Sequence, residues 1–265
     1  MSHDPDGPLL LEPDEPPAVT VTDADGRSPF VVTCDHASNR VPRRLAGLGL
    51  SEAERDRHIA WDIGALAVAR RLAARLGAPL VAAGYSRLVI DLNRPLAARD
   101  LMAEISDATP VPGNHGLSPA DRQARIDQLF RPYHAAISAL LDRRAAAGRP
   151  SLLVCQHSFT PRLSGGAARP WHIGLAPGRD RRFGELLAAA LRRDPALVVG
   201  WDEPYAIGPA SDYGVPVHGD GRGIPAVLIE IRQDGVAGDA GAARWADRLA
   251  GSLAAIAPAL LGDTP

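Results

Sequence analysis

Four apolar runs in this chain each end in polar residues that a buried strand does not carry without a reason. FVVTC, from Phe30 to Cys34, is followed by Asp35 and His36. LVID leads into Leu92, Asn93 and Arg94, SLLVC into Gln156 and His157, and AVLI into Glu230, Ile231 and Arg232. Longer segments with helical spacing separate these runs. Asp62 to Leu76 closes at Gly77, a stop signal. Ser118 to Ala147 opens with Ser118 and Asp121 as a capping box, and Pro132 should kink or divide it. Arg181 to Arg193 and Ala240 to Leu261 read as further helices, and Pro79 to Ala83, Leu88 to Leu92 and Leu197 to Val199 as further strands. Strands alternating with helices predict an α/β fold. Its central sheet should be mostly parallel and covered by helices on both faces.

The 265 residues show no composition break that would mark a second domain. Residues 1–28 are acidic and rich in proline, which predicts a partly disordered lead-in. Residues 29–265 then form one α/β catalytic domain. The stretches 97–117, 160–178 and 203–224 are rich in glycine and proline and read as loops. Loops of that length inside a compact domain are usually functional.

Charge and residue usage narrow the function. The formal charge is −2, so a nucleic-acid partner has no basic excess to bind it. No apolar stretch reaches the length of a membrane span. The N-terminus lacks the basic start and apolar core of a secretion signal, and the two cysteines, Cys34 and Cys155, form no metal-type pair. These features predict a cytoplasmic protein acting on a small molecule. The chain contains no lysine, which excludes a Schiff base or a phosphate-loop lysine.

In open α/β sheets ligands bind at the carboxyl ends of the strands. The polar residues after the four runs therefore form a candidate site. Two imidazoles and a carboxylate suit Zn²⁺ in a catalytic site, and His36 and His157 are the imidazoles. The third ligand stays open between Asp62, whose ordinary role there is a helix cap, and Asn39, a poor zinc ligand. Glu230 lies within an apolar strand, where a carboxylate is costly unless paired, with Arg232 as its ordinary partner, and it is the candidate general base. Arg87, Asn93 and Arg94 suit a substrate carboxylate, with Asp91 in an internal network. His58, His115, His134 and His172 read as structural or exposed.

The strings CDHASNRVP, WDIGA, SRLVIDLNRP, CQHSF, EPY and IEIRQD resemble, in this order, the N-formylglutamate amidohydrolase family, in its less characterised branch. The resemblance runs from about Phe30 to the C-terminal helix. It implies a phosphorylase/hydrolase-like fold related to the zinc carboxypeptidases and aspartoacylases. It also implies one Zn²⁺ per chain and hydrolysis of an N-acyl amino acid such as N-formyl-L-glutamate. His36 then matches the first ligand, His157 the later one and Glu230 the base. Position 39 is Asn where the relatives carry a glutamate ligand, so Asp62 takes that part. The string Asp-Leu-Asn-Arg resembles a carboxylate-binding motif, which implies Asn93 and Arg94 as substrate ligands and Arg87 as polariser of the scissile carbonyl. Tyr205, His218 and Arg222, in a stretch resembling a family loop, are further candidates for substrate contact. The alternatives are another carboxypeptidase or deacylase on the same scaffold, and a carboxylate-binding protein without catalysis.

Overall fold

A computed structural model describes residues 9–262. Among the described residues nine strands are formed: β1 (Val19–Thr22), β2 (Phe30–Cys34), β3 (Leu80–Ala83), the short pair β4 (Ile105–Ser106) and β5 (Thr109–Pro110), β6 (Leu152–Phe159), β7 (Ile173–Pro177), β8 (Val199–Trp201) and β9 (Ala226–Arg232). The α-helices are α1 (Glu52–Arg55), α2 (Ala65–Leu76), α3 (Pro119–Arg125), α4 (Arg131–Ala146), α5 (Arg182–Leu191) and α6 (Asp239–Leu261). Seven strands make one sheet in the order β1-β3-β2-β6-β9-β7-β8. The central four, β3, β2, β6 and β9, are parallel, while β7 and β8 run together antiparallel to β9, and β1 closes the other edge antiparallel to β3.

Strand alternation assigns the two faces. Phe30 and Val32 of β2, Leu152 and Val154 of β6, and Val227 and Ile229 of β9 join one core with Val68 and Leu72 of α2, Phe183 of α5 and Leu249 of α6. Val31, Leu153, Cys155 and Leu228 join the other core with Tyr133, Ile137 and Leu140 of α4. The α/β fold with a mostly parallel sheet and helices on both faces is thus the observed one. The parallel strands all deliver their carboxyl ends to one edge, where the candidate residues stand.

Several local expectations are corrected. Part of the segment expected as lead-in is structured, since β1 pairs with β3 and Leu10 is buried, so the sheet begins before residue 29. Residues 1–8 lie outside the described part. The stretch 160–178 contains β7, whose Gly174 and Pro177 mask its strand character in the sequence. The expected strand Leu197–Val199 lies two residues later, at Val199–Trp201. β6 runs on through His157 to Phe159, because Gln156, His157 and Ser158 continue the ladder with β9. The long segment from Ser118 divides as Pro132 implies: α3 and α4 flank a π-turn, Ile126–Phe130, and Pro132 sits in the first turn of α4.

Leu88–Leu92 is not a strand. Its apolar side chains are buried, but its backbone joins no strand ladder, and side chains take the carbonyls of Leu88 and Val89. Asn114 Nδ2 donates to the carbonyls of Leu88 and Ala103, both at 2.8 Å. Arg125, 1% exposed, donates from Nη1 to Val89 O at 2.9 Å and to Asn114 Oδ1 at 2.6 Å. Buried backbone groups must be satisfied, and here two polar side chains do so while fixing the turn that carries Arg87 and Asp91. Asn114→Ala removes three of these bonds at once. It should cost about 2–3 kcal/mol and lower the Tm by about 4–10 °C, whereas Asn39→Ala, which loses one solvent-exposed bond to Asp56, should cost no more than about 1 kcal/mol. Equal melting curves for the two variants would remove the clamp.

Candidate metal and hydrolytic site

His36 lies two residues past the end of β2, and Asp62 stands in the connection between β2 and α2. Asp62 N donates to His36 O at 3.0 Å, which ties the two residues through the backbone. Asp62 does not cap α2; the residue at that cap is Gly64. Gly64 has φ +80 and a Cβ there would stand 2.6 Å from Val236 O, so both conformation and space require glycine. That turn leaves the Asp62 carboxylate free to point at the strand ends. His157, on β6, and Glu230, on β9, are register partners, and alternation puts them on the same face.

These elements converge. Asp62 Oδ2 lies 3.3 Å from His36 Nδ1 and 2.9 Å from His157 Nδ1, and the two imidazole centroids are 5.0 Å apart. One ligand atom from each of His36, Asp62 and His157 falls within 4.8 Å of the others, and all three residues are buried. The far nitrogens are held as well: His36 Nε2 is 2.7 Å from Asp91 Oδ1, and His157 Nε2 is 3.3 Å from Asp35 Oδ2. Asp91 hydrogen-bonds His36, Asp35 stands at ion-pair distance from His157, and each imidazole presents its Nδ1 to the shared oxygen of Asp62. This is the arrangement by which proteins orient metal-binding histidines. Asp35 is fixed in turn by the buried hydroxyl of Tyr133, which donates to Oδ1.

The electrostatics follow from burial among opposite charges. Burial and Arg87 oppose a charge on His36, yet Asp91 and Asp62 outweigh both and its pKa is raised. For His157, burial is outweighed by hydrogen bonds to Asp35 and Asp62, and its pKa lies well above the ordinary value. Burial alone would raise Asp62 and Asp35, but the imidazoles hold Asp62 far below the carboxylate range and Asp35 down to about 2. A deprotonated carboxylate between two basic nitrogens is a donor set that fits a divalent cation, which would replace the protons on both Nδ1 atoms. The thiols of Cys34 and Cys155 are buried and pushed up by that burial, so neither offers a thiolate.

A cavity of about 210 Å³ opens over this centre, lined among others by His36, His157, Glu230, Arg87, Arg94 and Tyr205. Glu230 Oε2 is buried and has no hydrogen-bond partner among the described residues. Burial, opposed by His157, raises its carboxyl to about 7. Arg87 spends three bonds on neighbours, two to Asp91 Oδ2 at 3.0 and 2.6 Å and one to Asp62 Oδ1 at 3.3 Å. Arg94 donates to Asp100 at 2.8 Å and to Ser211 O at 2.8 Å.

Three expected substrate contacts are placed differently. Asn93 lines the cavity, but its side chain is engaged at both ends. Nδ2 donates to Asp212 Oδ1 at 3.0 Å, and Oδ1 accepts from the backbone N of Tyr213 and Gly214 at 3.0 and 2.9 Å. It pins the loop instead of reaching into the cavity. His218 lies beneath that loop, 2% exposed, its Nε2 2.9 Å from His134 Nδ1, and is not part of the cavity wall. Arg222 pairs with Asp142 of α4 at 2.5 Å, outside the cavity. Asn39, the other candidate third ligand, bonds Asp56 on the exposed side. The sequence marks Asp35 only as a strand-end polar residue without a role, and it gives no sign of Tyr133. The adjacency of Asp35 to His36 was the available signal, but it points to the wrong partner, since Asp35 serves His157.

The fold and this centre define an α/β protein with a buried histidine–carboxylate group at the carboxyl edge of its sheet. The sequence profile of N-formylglutamate amidohydrolase matches residues 28–237, and the chain belongs to that family. N-formylglutamate deformylases of Pseudomonas putida and Pseudomonas aeruginosa are 32% and 30% identical over 166 and 168 residues, 58% of this chain in each case. The matches span 61% of those relatives' own length. A crystal structure of a gene product of Agrobacterium tumefaciens superposes with a TM-score of 0.88 at 34% identity, covering 94% of this chain and 99% of that one. An N-formylglutamate amidohydrolase of Ralstonia eutropha superposes with a TM-score of 0.65 at 21% identity, over 93% and 99% of the two chains, which bears on the fold alone.

The raised carboxyl of Glu230 sets a sign for stability in the metal-free protein. Its pKa rises from 4.5 to about 7 on folding, so the folded state holds the proton more tightly than the unfolded one. The penalty is absent below the unfolded value, grows as pH rises to about 7, and is then constant. Glu230→Gln should therefore be more stabilising, relative to the parent, at pH ~8 than at pH ~5, by on the order of 2–3 kcal/mol. A difference in Tm that does not change with pH would contradict an unpartnered carboxyl at this position.

Proposed function

We propose that the chain is a metal-dependent amidohydrolase that cleaves N-acyl amino acids, with Zn²⁺ as its metal. N-formyl-L-glutamate, giving formate and glutamate, is the first candidate substrate. The observation that carries this reading is the pairing across two strands of a buried His-Asp-His group with a buried, unpartnered carboxyl in one cavity. The names of the Pseudomonas relatives support the candidate substrate. The two buried free cysteines suit work in the reducing cytoplasm.

His36, Asp62 and His157 would hold the ion. When bound, Zn²⁺ supplies a Lewis acid that acidifies water and polarises a carbonyl. Glu230 takes a proton from the attacking water as its oxygen bonds to the acyl carbon. Its pKa near neutrality suits both this step and the return of the proton to the amide nitrogen. The C–N bond then breaks and the amino acid leaves with a neutral amine nitrogen. Arg87, at the cavity wall, faces the negative charge that develops on the carbonyl oxygen. The Arg94 guanidinium is the group for the substrate α-carboxylate, and Tyr205 closes the same wall.

Glu230→Gln should retain the metal, measured by elemental analysis, while kcat falls about 10³-fold. Full activity in that variant would end the mechanism. Arg94→Ala should raise KM for N-formyl amino acids about 10–100-fold with a smaller change in kcat. An unchanged KM would take Arg94 out of carboxylate binding.

A further inference from the structure

Arg169, in the stretch between β6 and β7, carries a charge that no acid among the described residues pairs with. Its neighbours at the carboxyl edge differ: Arg87 pairs with Asp91 and Asp62, Arg57 with Asp107, and Arg232 with Asp234. The reaction described above gives Arg169 no part. Yet the residue is half-buried and firmly held. Its carbonyl accepts from Arg232 Nη1 at 2.9 Å, its Nη1 donates to Thr160 O at 3.2 Å, and its Nη2 donates to Tyr205 Oη at 2.8 Å. The guanidinium stands 5.8 Å from the ring centroid of Phe159 and 5.0 Å from that of Tyr205. A guanidinium has more N–H donors than these two bonds use. Tyr205 Oη accepts from Arg169, so its own O–H is left to donate.

The strands place this group relative to the reacting centre. His157 and Glu230 are register partners, and so are Phe159 and Arg232, two residues further along β6 and β9. Alternation keeps these side chains on one face of the sheet. Arg169 stands over Phe159 and against Arg232. Its offset from His157 and Glu230 along the strands is therefore one two-residue step, roughly 6–7 Å. An extended glutamate spans a similar distance from its amide to its side-chain carboxylate. Tyr205 connects the two places, since it lines the catalytic cavity and bonds Arg169.

We propose that Arg169, together with the hydroxyl of Tyr205, binds a carboxylate on the side chain of the substrate. The chain then selects N-acyl derivatives of glutamate over those of glutamine, which has the same shape without the charge. The proposal rests on the amidohydrolase reading and gives its first candidate substrate a residue for each charge: Arg94 for the α-carboxylate and Arg169 for the side chain, with the amide facing Glu230. A neutral amide in that place loses the charge-assisted bonds and sets its own N–H groups against a cation.

Turnover of N-formyl-L-glutamate and N-formyl-L-glutamine by the zinc-loaded full chain tests it, together with calorimetric binding of L-glutamate and L-glutamine. Glutamate should be favoured by about 10–100-fold in both kcat/KM and affinity. That ratio should fall about tenfold or more in Arg169→Met, mainly through KM for N-formylglutamate, and about threefold in Tyr205→Phe. Arg169→Lys keeps the charge and should retain more of the ratio than Arg169→Met. A purely structural role for Arg169 would lower both substrates alike and leave the ratio intact, which overturns the proposal. A ratio near one in the parent, or one unmoved in both Arg169→Met and Tyr205→Phe, overturns it as well and leaves the amidohydrolase reading standing. Glutamate-selective binding that Arg169→Met abolishes, without turnover of any N-formyl amino acid, would do the reverse.

Discussion

One carboxylate oxygen organises this protein. Asp62 Oδ2 faces two imidazoles, one just beyond β2 and one on β6, and each imidazole has a second carboxylate on its far side. Three acids and two histidines in so small a volume would be costly as separate buried charges. They are tolerated because each is matched, and because Arg87 bonds both Asp62 and Asp91 and joins the two acids of the His36 side. The remaining features serve that geometry. The glycine at position 64 frees the Asp62 turn, the ladder between β6 and β9 sets His157 beside Glu230, and Asn114 with Arg125 fixes the turn that delivers Arg87 and Asp91.

Against this matched set, Glu230 is the exception. It shares a face with His157, yet its Oε2 bonds to nothing among the described residues. A fold that satisfies nearly every other buried acid leaves this one available, and its burial brings its proton affinity close to neutrality. Stability and function pull in opposite directions at that residue, as expected where local rules are broken at a working site.

The strand framework was legible because β2, β6 and β9 are short apolar runs, and strand-end polarity located His36, His157 and Glu230. What the sequence hid was the source of backbone pairing. Leu88–Leu92 looks like a strand because its side chains are apolar, but whether its carbonyls meet a neighbouring strand or Asn114 and Arg125 depends on residues far along the chain. β7 was hidden by its glycine and proline. His218 and Arg222 looked functional because they sit in an unusual loop. The fold instead turns one inward onto His134 and the other outward onto Asp142. Asn93 lines the cavity, and the groups that occupy its side chain come from a loop some 120 residues away.

The pairing of His157 with Glu230 has a consequence for how this chain can change over time. Side chains alternate across a sheet, so a deletion or insertion of one residue in β6 or β9 would turn that residue to the opposite face, among α2, α5 and α6. The two central strands are thus closed to length variation. The β4–β5 hairpin and the loops around it bear no such restriction, because they take no part in the seven-stranded sheet. Divergence in this architecture should accumulate as loop length in and around the β4–β5 hairpin while β6 and β9, which carry His157 and Glu230, keep their residue count.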